Sequence, residues 1–166
     1  LIKTYFFIFI ERFLAKKSSA IIAISELQKN ELVNDFKICP EEKISVIPLG
    51  FDLEKFQINS EEKRKKFRKE FNINSEVCIG IVGRLTPIKN HEFFIKIIKQ
   101  SLSKTSKPIK VFIIGDGEDK ESIIDFSTMN NLSISTHTKK NHNALINFTS
   151  WRSDMDYVYA GLDIVA

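Results

Sequence analysis

The sequence is poor in the residues that mark specialised protein classes. Its 166 residues include only 6 Gly, 4 Pro, 2 Cys and 1 Trp, which excludes a collagen-like chain and a disordered, low-complexity chain. The two cysteines, Cys39 and Cys78, lie far apart and form no CxxC pair. A disulfide scaffold and a cysteine-based zinc site are therefore excluded, and a reducing, cytoplasmic setting fits this cysteine usage best.

Long hydrophobic runs are also lacking, since none approaches the roughly 18 residues of a membrane span. The longest run, residues 5–10, stops at the charged pair Glu11 and Arg12 and has no small-residue cleavage site after it, so it is not a signal peptide. What remains is a soluble globular composition with 43% hydrophobic residues, 28% charged residues, 14 Phe and a net charge of +4. The length allows one domain or parts of two.

Residues 2–16 have the periodicity of a helix with an aromatic stripe. The stripe contains Ile2, Phe6, Phe9 and Phe13, and Tyr5 and Ile10 widen it. Two interpretations follow: a helix buried between a sheet and a neighbouring element, or a helix lying in a membrane surface. The buried helix is favoured because the polar face is short.

The next segments predict two short strands and a helix. The continuous apolar run at residues 20–24 indicates a strand covered on both faces. Ser25 is predicted to cap a helix that ends near Phe36, and residues 43–47 alternate as a strand does. The turn at residues 48–52, rich in Pro and Gly, is the best candidate for a hinge between two lobes.

A dense basic run follows at residues 63–69, inside a helix that Ser60 is predicted to cap. Such a run invites a nucleic-acid or anionic-lipid interpretation. A solvated helix face with Phe67 and Phe71 docked beneath it is favoured, because no matching basic and aromatic pattern occurs elsewhere.

From residue 77 onward, predicted strands alternate with predicted helices. The strands cover 77–82, 111–114, 145–148 and the chain from 163, and the helices cover 91–101, 120–129 and 155–161. This alternation predicts an α/β fold with a doubly wound parallel sheet, which binds ligands at the carboxyl ends of its strands. Residues 130–143 are polar and are predicted to form a loop or insertion.

The most informative segment connects the first of these strands to the next helix. The strand ends at Gly83, where a missing side chain lets a ligand approach the backbone. Arg84 and Lys89 flank a loop that leads to a helix N-terminus, and together these features suit a diphosphate. The segment matches neither GxGxxG nor a P-loop. On the residues alone, an ordinary loop with a surface Arg and Lys is an equal alternative.

Six short motifs occur in the order seen in one enzyme family. They are Ile22–Glu26, Ile47–Asp52, Val82–Leu85 with Lys89 and Asn90, Ile113–Gly117, Phe148–Trp151 and Ala160–Asp163. In this order, and over nearly the whole chain, the sequence resembles retaining glycosyltransferases of the GT-B fold, in the large glycogen-synthase-like "family 4" group. Leu49 stands where that family often has Asn, but the turn is kept.

The resemblance implies a partial GT-B architecture with a Rossmann-like sheet. It assigns residues 1–47 to the end of an N-terminal acceptor lobe, residues 48–76 to a hinge and connecting helix, and residues 77–166 to the first part of a C-terminal nucleotide-sugar lobe. It implies hexosyl transfer from a nucleotide sugar to a glycan, lipid or small-molecule acceptor, with retention. A nucleotide-sugar-binding or 2-epimerase-like GT-B protein without transferase activity is the alternative.

The resemblance also implies roles for particular residues. Arg84 and Lys89 would hold the donor diphosphate beside Gly83 and stabilise the charge on the leaving nucleotide. The segment with Thr149, Ser150 and Trp151 would meet the nucleoside. Trp151 packs there on the ribose or base, or is a half-buried aromatic at the edge of the lobe.

Further expectations concern three other sites. Asp116 is expected to cap a turn into a helix rather than to contact the donor. His91, expected in the first turn of a helix, does not match the family's catalytic histidine, and neither do His137 and His142. The family's Glu-rich motif after Asp163 is absent, so the chain is expected to be a fragment that is inactive alone.

The expected partners follow from the same resemblance. No cofactor and no metal are expected, because cations take the place of a metal in the family. Nucleic acid is not expected as a partner, whereas a peripheral membrane contact stays open. The expected localisation is cytoplasmic, with the inner face of the membrane left open.

Overall fold

A computed structural model describes the backbone of residues 2–166 and the side chains from Thr4 onward. The chain divides into two compact units, Leu1–Asp52 and Leu53–Ala166. The roles predicted for its segments, including the hinge at residues 48–52, stay predictions. No helix of the described residues is both long enough and apolar enough to cross a membrane.

The first unit contains two helices and a small parallel sheet. Its elements are α1 (Ile2–Lys17), β1 (Ile21–Ala23), α2 (Glu26–Asn30) and β2 (Ile44–Val46). Ile21 of β1 lies opposite Ile44 of β2. The predicted cap is confirmed, because the N–H of Gln28 donates to Oγ of Ser25 at 3.1 Å. Helix α2 is shorter than predicted, because a π-helical turn replaces it over Glu31–Asp35.

Helix α1 is exposed within its unit, so the prediction that it is buried is wrong for the described side chains. Phe9 is 68% exposed and Phe13 is 57% exposed, and Tyr5 and Phe6 are equally open. Ala15 is the one buried side chain among those described in this helix. The physical reason is that the helix is joined to other described elements by polar contacts, from Arg12 to the carbonyl of Phe36 and from Lys43 to the carbonyl of Ala15, which leave its aromatic side chains uncovered. The place predicted for Ile2 in the stripe lies outside the described side chains.

The second unit is a five-stranded parallel sheet flanked by helices, as predicted for the α/β fold. Its elements are α3 (Glu54–Gln57), α4 (Ser60–Glu70), β3 (Val77–Val82), α5 (His91–Leu102), β4 (Ile109–Ile114), α6 (Lys120–Met129), β5 (Ile134–Ser135), β6 (Ile146–Ser150), α7 (Met155–Gly161) and β7 (Ile164–Val165). The strand order is β5-β6-β4-β3-β7. Residues 130–143 were predicted as a loop, but they contain the edge strand β5, whose two residues are too few for a periodic signal.

Alternating side chains of the strands build a core on each face of the sheet. Ile81 and Ile113 belong to the cluster that packs with α5 and α6. Phe112 belongs to the opposite cluster, which packs with α4 and α7. There Phe67 is 1% exposed, and its ring centroid lies 4.9 Å from that of Phe71, so the predicted docking of both aromatics is confirmed.

The basic run of α4 is engaged in ion pairs within the same unit. Lys63 contacts Asp156 at 2.8 Å, and Arg64 contacts Asp163 at 2.5 Å. These pairs attach the helix to α7 and to the start of β7, so Lys63 and Arg64 are partly buried. The predicted solvated face is confirmed only for Lys65, Lys66 and Lys69, which are exposed.

The cap predicted for α4 is wrong. Ser60 is the first residue of the helix, and Asn59 precedes it in the left-handed conformation without a side-chain capping bond.

Candidate functional site

The candidate site lies at the carboxyl ends of β3, β4 and β6, where a parallel sheet opens to ligands. After β3, Gly83 has a φ of +152°, and a Cβ placed there would lie 3.3 Å from Cε of Lys89. The aliphatic part of Lys89 therefore passes over Gly83. The N–H of Gly83 donates to the carbonyl of Ile114 at 3.0 Å, which ties this loop to the end of β4.

The loop is anchored by Leu85, whose side chain is fully buried. The N–H of Leu85 donates to the carbonyl of Asp116 at 3.0 Å, and its own carbonyl accepts from the N–H of Asp119 at 3.0 Å. These bonds fix the backbone on the C-terminal side of Arg84, so the guanidinium extends from a rigid support.

The two predicted cations of this loop are exposed and unpaired. Within the part of the chain that the structure describes, neither Arg84 nor Lys89 forms an ion pair or a hydrogen bond through its side chain. The following helix, α5, begins at His91 without a side-chain cap. An uncapped helix N-terminus attracts anions, so the loop and the helix end present positive potential together.

The loop after β4 packs its backbone directly against the loop after β3. A Cβ at Gly115, whose φ is +140°, would lie 1.9 Å from the carbonyl oxygen of Gly83. The N–H of Gly115 also donates to the carbonyl of Ser150 at 3.1 Å. Gly83, Gly115 and Ser150 thus form a continuous backbone floor across three strand ends, and a side chain at Gly115 would break it.

Asp116 does not cap α6 itself, and the predicted capping holds only for the turn, where Oδ1 of Asp116 accepts from the N–H of Gly117 at 2.9 Å. The helix begins at Lys120, with Asp119 before it and no side-chain capping bond. Asp116 lies too far upstream to reach the first turn as a cap. Its carboxylate instead accepts from Nζ of Lys120 at 2.8 Å and from Oγ of Ser150 at 2.5 Å. These hydrogen bonds, that of Lys120 first, lower the pKa of Asp116 to about 2.

The residues predicted to meet the nucleoside, 149–151, lie in two different surroundings. Ser150 lies on the backbone floor. Thr149 and Trp151 line a cavity of about 430 Å³, whose other walls come from residues 70–71, 135–137, 140–142, 147–148 and 152–154. Gly83, Arg84 and Lys89 do not line it. Trp151 is 63% exposed, so it is not the half-buried aromatic that was the alternative.

Arg152, which the sequence did not single out as a functional residue, forms the rim of that cavity. Its guanidinium donates to both oxygens of Glu70, at 2.6 and 3.0 Å. It also donates to both oxygens of Asp154, at 2.9 and 2.6 Å. Hydrogen bonding to Asp154 and then to Glu70 raises the pKa of Arg152. No sequence signal joins Arg152 to Glu70, because the two are 82 residues apart.

His91 is the first residue of α5, which confirms its predicted place in the first turn. Its side chain is 3% exposed, and neither ring nitrogen has a hydrogen-bond partner among the described residues. Burial lowers the pKa of His91, so a neutral imidazole lies at the start of the helix that faces the candidate site.

Metal ligation finds no support in the side chains that the structure describes. Residues 4–166 contain no group of three or more His, Cys, Asp or Glu side chains that could hold a metal ion. The expectation that no metal takes part stays a prediction.

This fold is the parallel α/β fold of GT-B glycosyltransferases. A solved structure of Anabaena HepE in complex with UDP and glucose superposes with a TM-score of 0.71, at 18% identity, over 95% of this chain and 40% of that one. At this identity the likeness establishes the fold alone.

Sequence comparison identifies the family. Residues 62–166 match the family model described as glycosyl transferases group 1, and residues 1–55 match the one described as glycosyltransferase family 4. The chain therefore belongs to the group 1 glycosyl transferases. The narrower glycogen-synthase-like grouping stays a prediction.

Two curated relatives are enzymes of glycan assembly. The chain is 32% identical to an Escherichia coli UDP-Gal:alpha-D-GlcNAc-diphosphoundecaprenol alpha-1,3-galactosyltransferase, over 93% of this chain and 38% of the relative. It is 34% identical to the capsular polysaccharide biosynthesis glycosyltransferase CapM of Staphylococcus aureus, over 62% of this chain and 27% of the relative. The chain thus spans well under half the length of both relatives.

Proposed function

We propose that this chain provides the donor-binding part of a glycosyltransferase that takes a sugar from a nucleotide sugar. The observation that carries the proposal is the pair of exposed, unpaired cations, Arg84 and Lys89, beside Gly83 and an uncapped helix N-terminus. A donor diphosphate would accept hydrogen bonds from both side chains and from free N–H groups of α5. The 2-epimerase-like and binding-only alternatives are not favoured, because the named relatives are transferases.

The chemistry proposed for the site is stabilisation of the leaving group. When the bond between the sugar and the diphosphate breaks, negative charge grows on the oxygen of the departing phosphate. Fixed cations at that position stabilise the transition state more than the bound donor. Retention of configuration is part of the proposal and rests on the family resemblance.

The relatives support a substrate class. The Escherichia coli relative is named for its use of UDP-Gal, which favours a uridine diphosphate sugar as the donor. The Escherichia coli relative acts on a lipid-linked sugar diphosphate by its name, and CapM serves capsule assembly. We therefore propose a glycan or lipid-linked glycan as the acceptor.

Calorimetric titration of the chain with UDP tests the proposal. We expect saturable binding that weakens by about tenfold in Arg84→Ala and in Lys89→Ala, since each variant loses a charge-assisted hydrogen bond. Lys65→Ala is the matched control, because Lys65 is an exposed lysine of α4 outside the candidate site. The proposal fails if the chain does not bind UDP, or if all three variants bind it as the unmodified chain does.

Independence from metal ions is the second part of the proposal. If cations of the protein take the place of a metal, UDP should bind equally well in EDTA and in magnesium. A loss of binding in EDTA that magnesium restores would contradict it.

A membrane contact is a second proposal, supported by the exposed aromatics of α1. Phe9 and Phe13 are more than half exposed, and Lys16 and Lys17 occupy the last turn. Aromatic side chains with neighbouring lysines suit an anionic membrane surface. We expect the chain to co-sediment with phosphatidylglycerol vesicles and the Phe9→Ser/Phe13→Ser variant to stay in the supernatant. Equal sedimentation of both would contradict the contact.

A further inference from the structure

Ser150 has an unusual backbone conformation for its residue type. Its φ is +60°, in the left-handed region that glycine and asparagine adopt most readily. In residues 53–166, all of which the structure describes, every other residue in this region is Gly or Asn. A serine in this conformation bears a backbone cost, which a specific contact would offset.

Besides the backbone bond from Gly115, Ser150 is held by the hydrogen bond of its side chain to Asp116. Oγ of Ser150 donates to Oδ2 of Asp116 at 2.5 Å, and that carboxylate is itself fixed by the N–H of Gly117 at 2.9 Å and Nζ of Lys120 at 2.8 Å. A hydrogen bond from a hydroxyl to an ionised carboxylate is short and strong. The low pKa of Asp116 keeps the acceptor ionised at neutral pH.

The conformation of Ser150 sets the path of the following segment. Ser150 closes β6 and leads directly to Trp151, and the pairing register with β4 shifts between Ile113 and Ile114 at this level. Trp151 is exposed, and no described side chain holds it by a hydrogen bond. The direction in which the backbone leaves Ser150 thus decides where Trp151 and the peptide groups beside it lie.

We propose that Asp116 is a positioning residue for the donor, which holds residues 149–151 in the conformation that meets the nucleoside by accepting the hydrogen bond of Ser150. The inference rests on the proposed function, because it assumes that this segment faces the donor. Asp116 acts through Ser150 and is not itself expected to contact the substrate.

Substitutions at Ser150 separate this role from general support of the fold. Ser150→Ala removes the hydroxyl but keeps the backbone cost of the left-handed conformation. Ser150→Gly also removes the hydroxyl, yet glycine adopts this conformation without that cost. We expect Ser150→Ala to weaken UDP binding by about tenfold and Ser150→Gly to bind within about twofold of the unmodified chain.

A second variant pair tests Asp116 directly. Asp116→Ala should weaken UDP binding as Ser150→Ala does, and adding Ser150→Gly should restore most of the loss, because glycine no longer needs the acceptor. Asp125→Ala is the matched control, since Asp125 is an exposed carboxylate of α6 outside this cluster. If Gly at position 150 is as damaging as Ala, or if the double variant is not rescued, the positioning role is overturned.

The single tryptophan supplies a readout that needs no ligand. Trp151 is the only Trp of the chain, so fluorescence anisotropy and acrylamide quenching report on this segment alone. We expect lower anisotropy and stronger quenching in Asp116→Ala and Ser150→Ala, with Ser150→Gly close to the unmodified chain and circular dichroism unchanged.

The two readouts distinguish the possible failures. If the unmodified chain does not bind UDP, the proposed function fails, and unchanged anisotropy in Asp116→Ala would overturn the positioning role as well. If the chain binds UDP but Asp116→Ala alters neither affinity nor anisotropy, only the positioning role is overturned.

Discussion

The loop after β3 and the loops after β4 and β6 lie at the same edge of the sheet but use their charges differently. Arg84 and Lys89, after β3, extend without a partner among the described residues. After β4, Asp116 pairs with Lys120, and after β6, Arg152 pairs with Glu70 and Asp154.

The difference indicates which charges serve the fold and which are open to a ligand. A paired charge is largely neutralised by its partner and holds two elements together. An unpaired cation beside a helix N-terminus attracts an anionic ligand, because no neighbouring carboxylate neutralises its charge. The comparison therefore predicts opposite results for substitutions of Arg84 or Lys89 and for substitution of Arg152.

The largest expected effect is on turnover at Arg84 and Lys89. In a protein of the relatives' full length that carries this chain, Arg84→Ala or Lys89→Ala should each lower kcat by about a hundredfold, or on the order of 3 kcal/mol, with a smaller change in KM. Arg84→Lys should also fail, because a point charge does not reproduce the bidentate fork of Arg. Steady-state kinetics together with thermal melts check this. Near-normal turnover in these variants, with an intact fold, would show that the loop only connects a strand to a helix.

Substitution of the paired residue Arg152 should instead act mainly on stability. The guanidinium of Arg152 makes four hydrogen bonds to Glu70 and Asp154 and lies 5.7 Å from the ring centroids of Phe67 and Phe71. Arg152→Ala should lower the free energy of unfolding by about 2 kcal/mol, because it removes a mostly buried guanidinium that bonds two carboxylates and packs on two aromatic rings. Urea unfolding measures this, with Lys65→Ala as a control of unchanged midpoint. An unchanged midpoint of urea unfolding in Arg152→Ala would contradict the claim that the paired charges of Arg152 serve the fold.

A moderate effect is expected at His91, which lies buried at the start of α5. The pKa of His91 is below its ordinary value of 6.5 because of burial, with Asp119 opposing and Lys89 reinforcing the shift. The unfolded chain therefore binds the proton more readily than the folded chain. Stability should be fully present above about pH 6.5 and fall as the pH drops below it, by at most about 1.4 kcal/mol per pH unit. The free energy of unfolding of His91→Leu should not show this fall between pH 7.5 and pH 5. An equal fall in both proteins would contradict its assignment to His91.

The smallest effect on stability is expected at Asp116. Because its folded pKa is lowered to about 2, its contribution to stability should be present above about pH 4 and disappear as the pH falls toward 2. The difference in free energy of unfolding between the unmodified chain and Asp116→Asn should shrink from pH 5 to pH 2.5. A constant difference across this range would show that Asp116 is not stabilised as an ion.

The sequence predicted the scaffold better than the contacts within it. The regular strands and helices from residue 77 follow from hydrophobic periodicity, and so does the docking of Phe67 and Phe71. The short strand at Ile134 and the exposure of α1 did not follow, because two residues give no period and exposure depends on what surrounds the helix.

The site was predictable where one short segment carries it. Gly83, Arg84 and Lys89 are neighbours in the sequence, so their proximity follows from the strand-to-helix pattern. The bonds of Ser150 to Asp116 and of Arg152 to Glu70 join residues distant in the sequence. Such bonds depend on strand order and on side-chain direction, neither of which a local pattern encodes.

The most direct test of the account compares the affinity of the chain for UDP with its affinity for uridine. The two ligands share the nucleoside and differ in the diphosphate, so the ratio of their dissociation constants isolates the contribution of the phosphate contacts. We expect the unmodified chain to prefer UDP strongly and the Arg84→Ala/Lys89→Ala variant to bind the two ligands nearly equally, with its affinity for uridine unchanged. An undiminished preference for UDP in that variant would contradict the claim that these two cations form the diphosphate site.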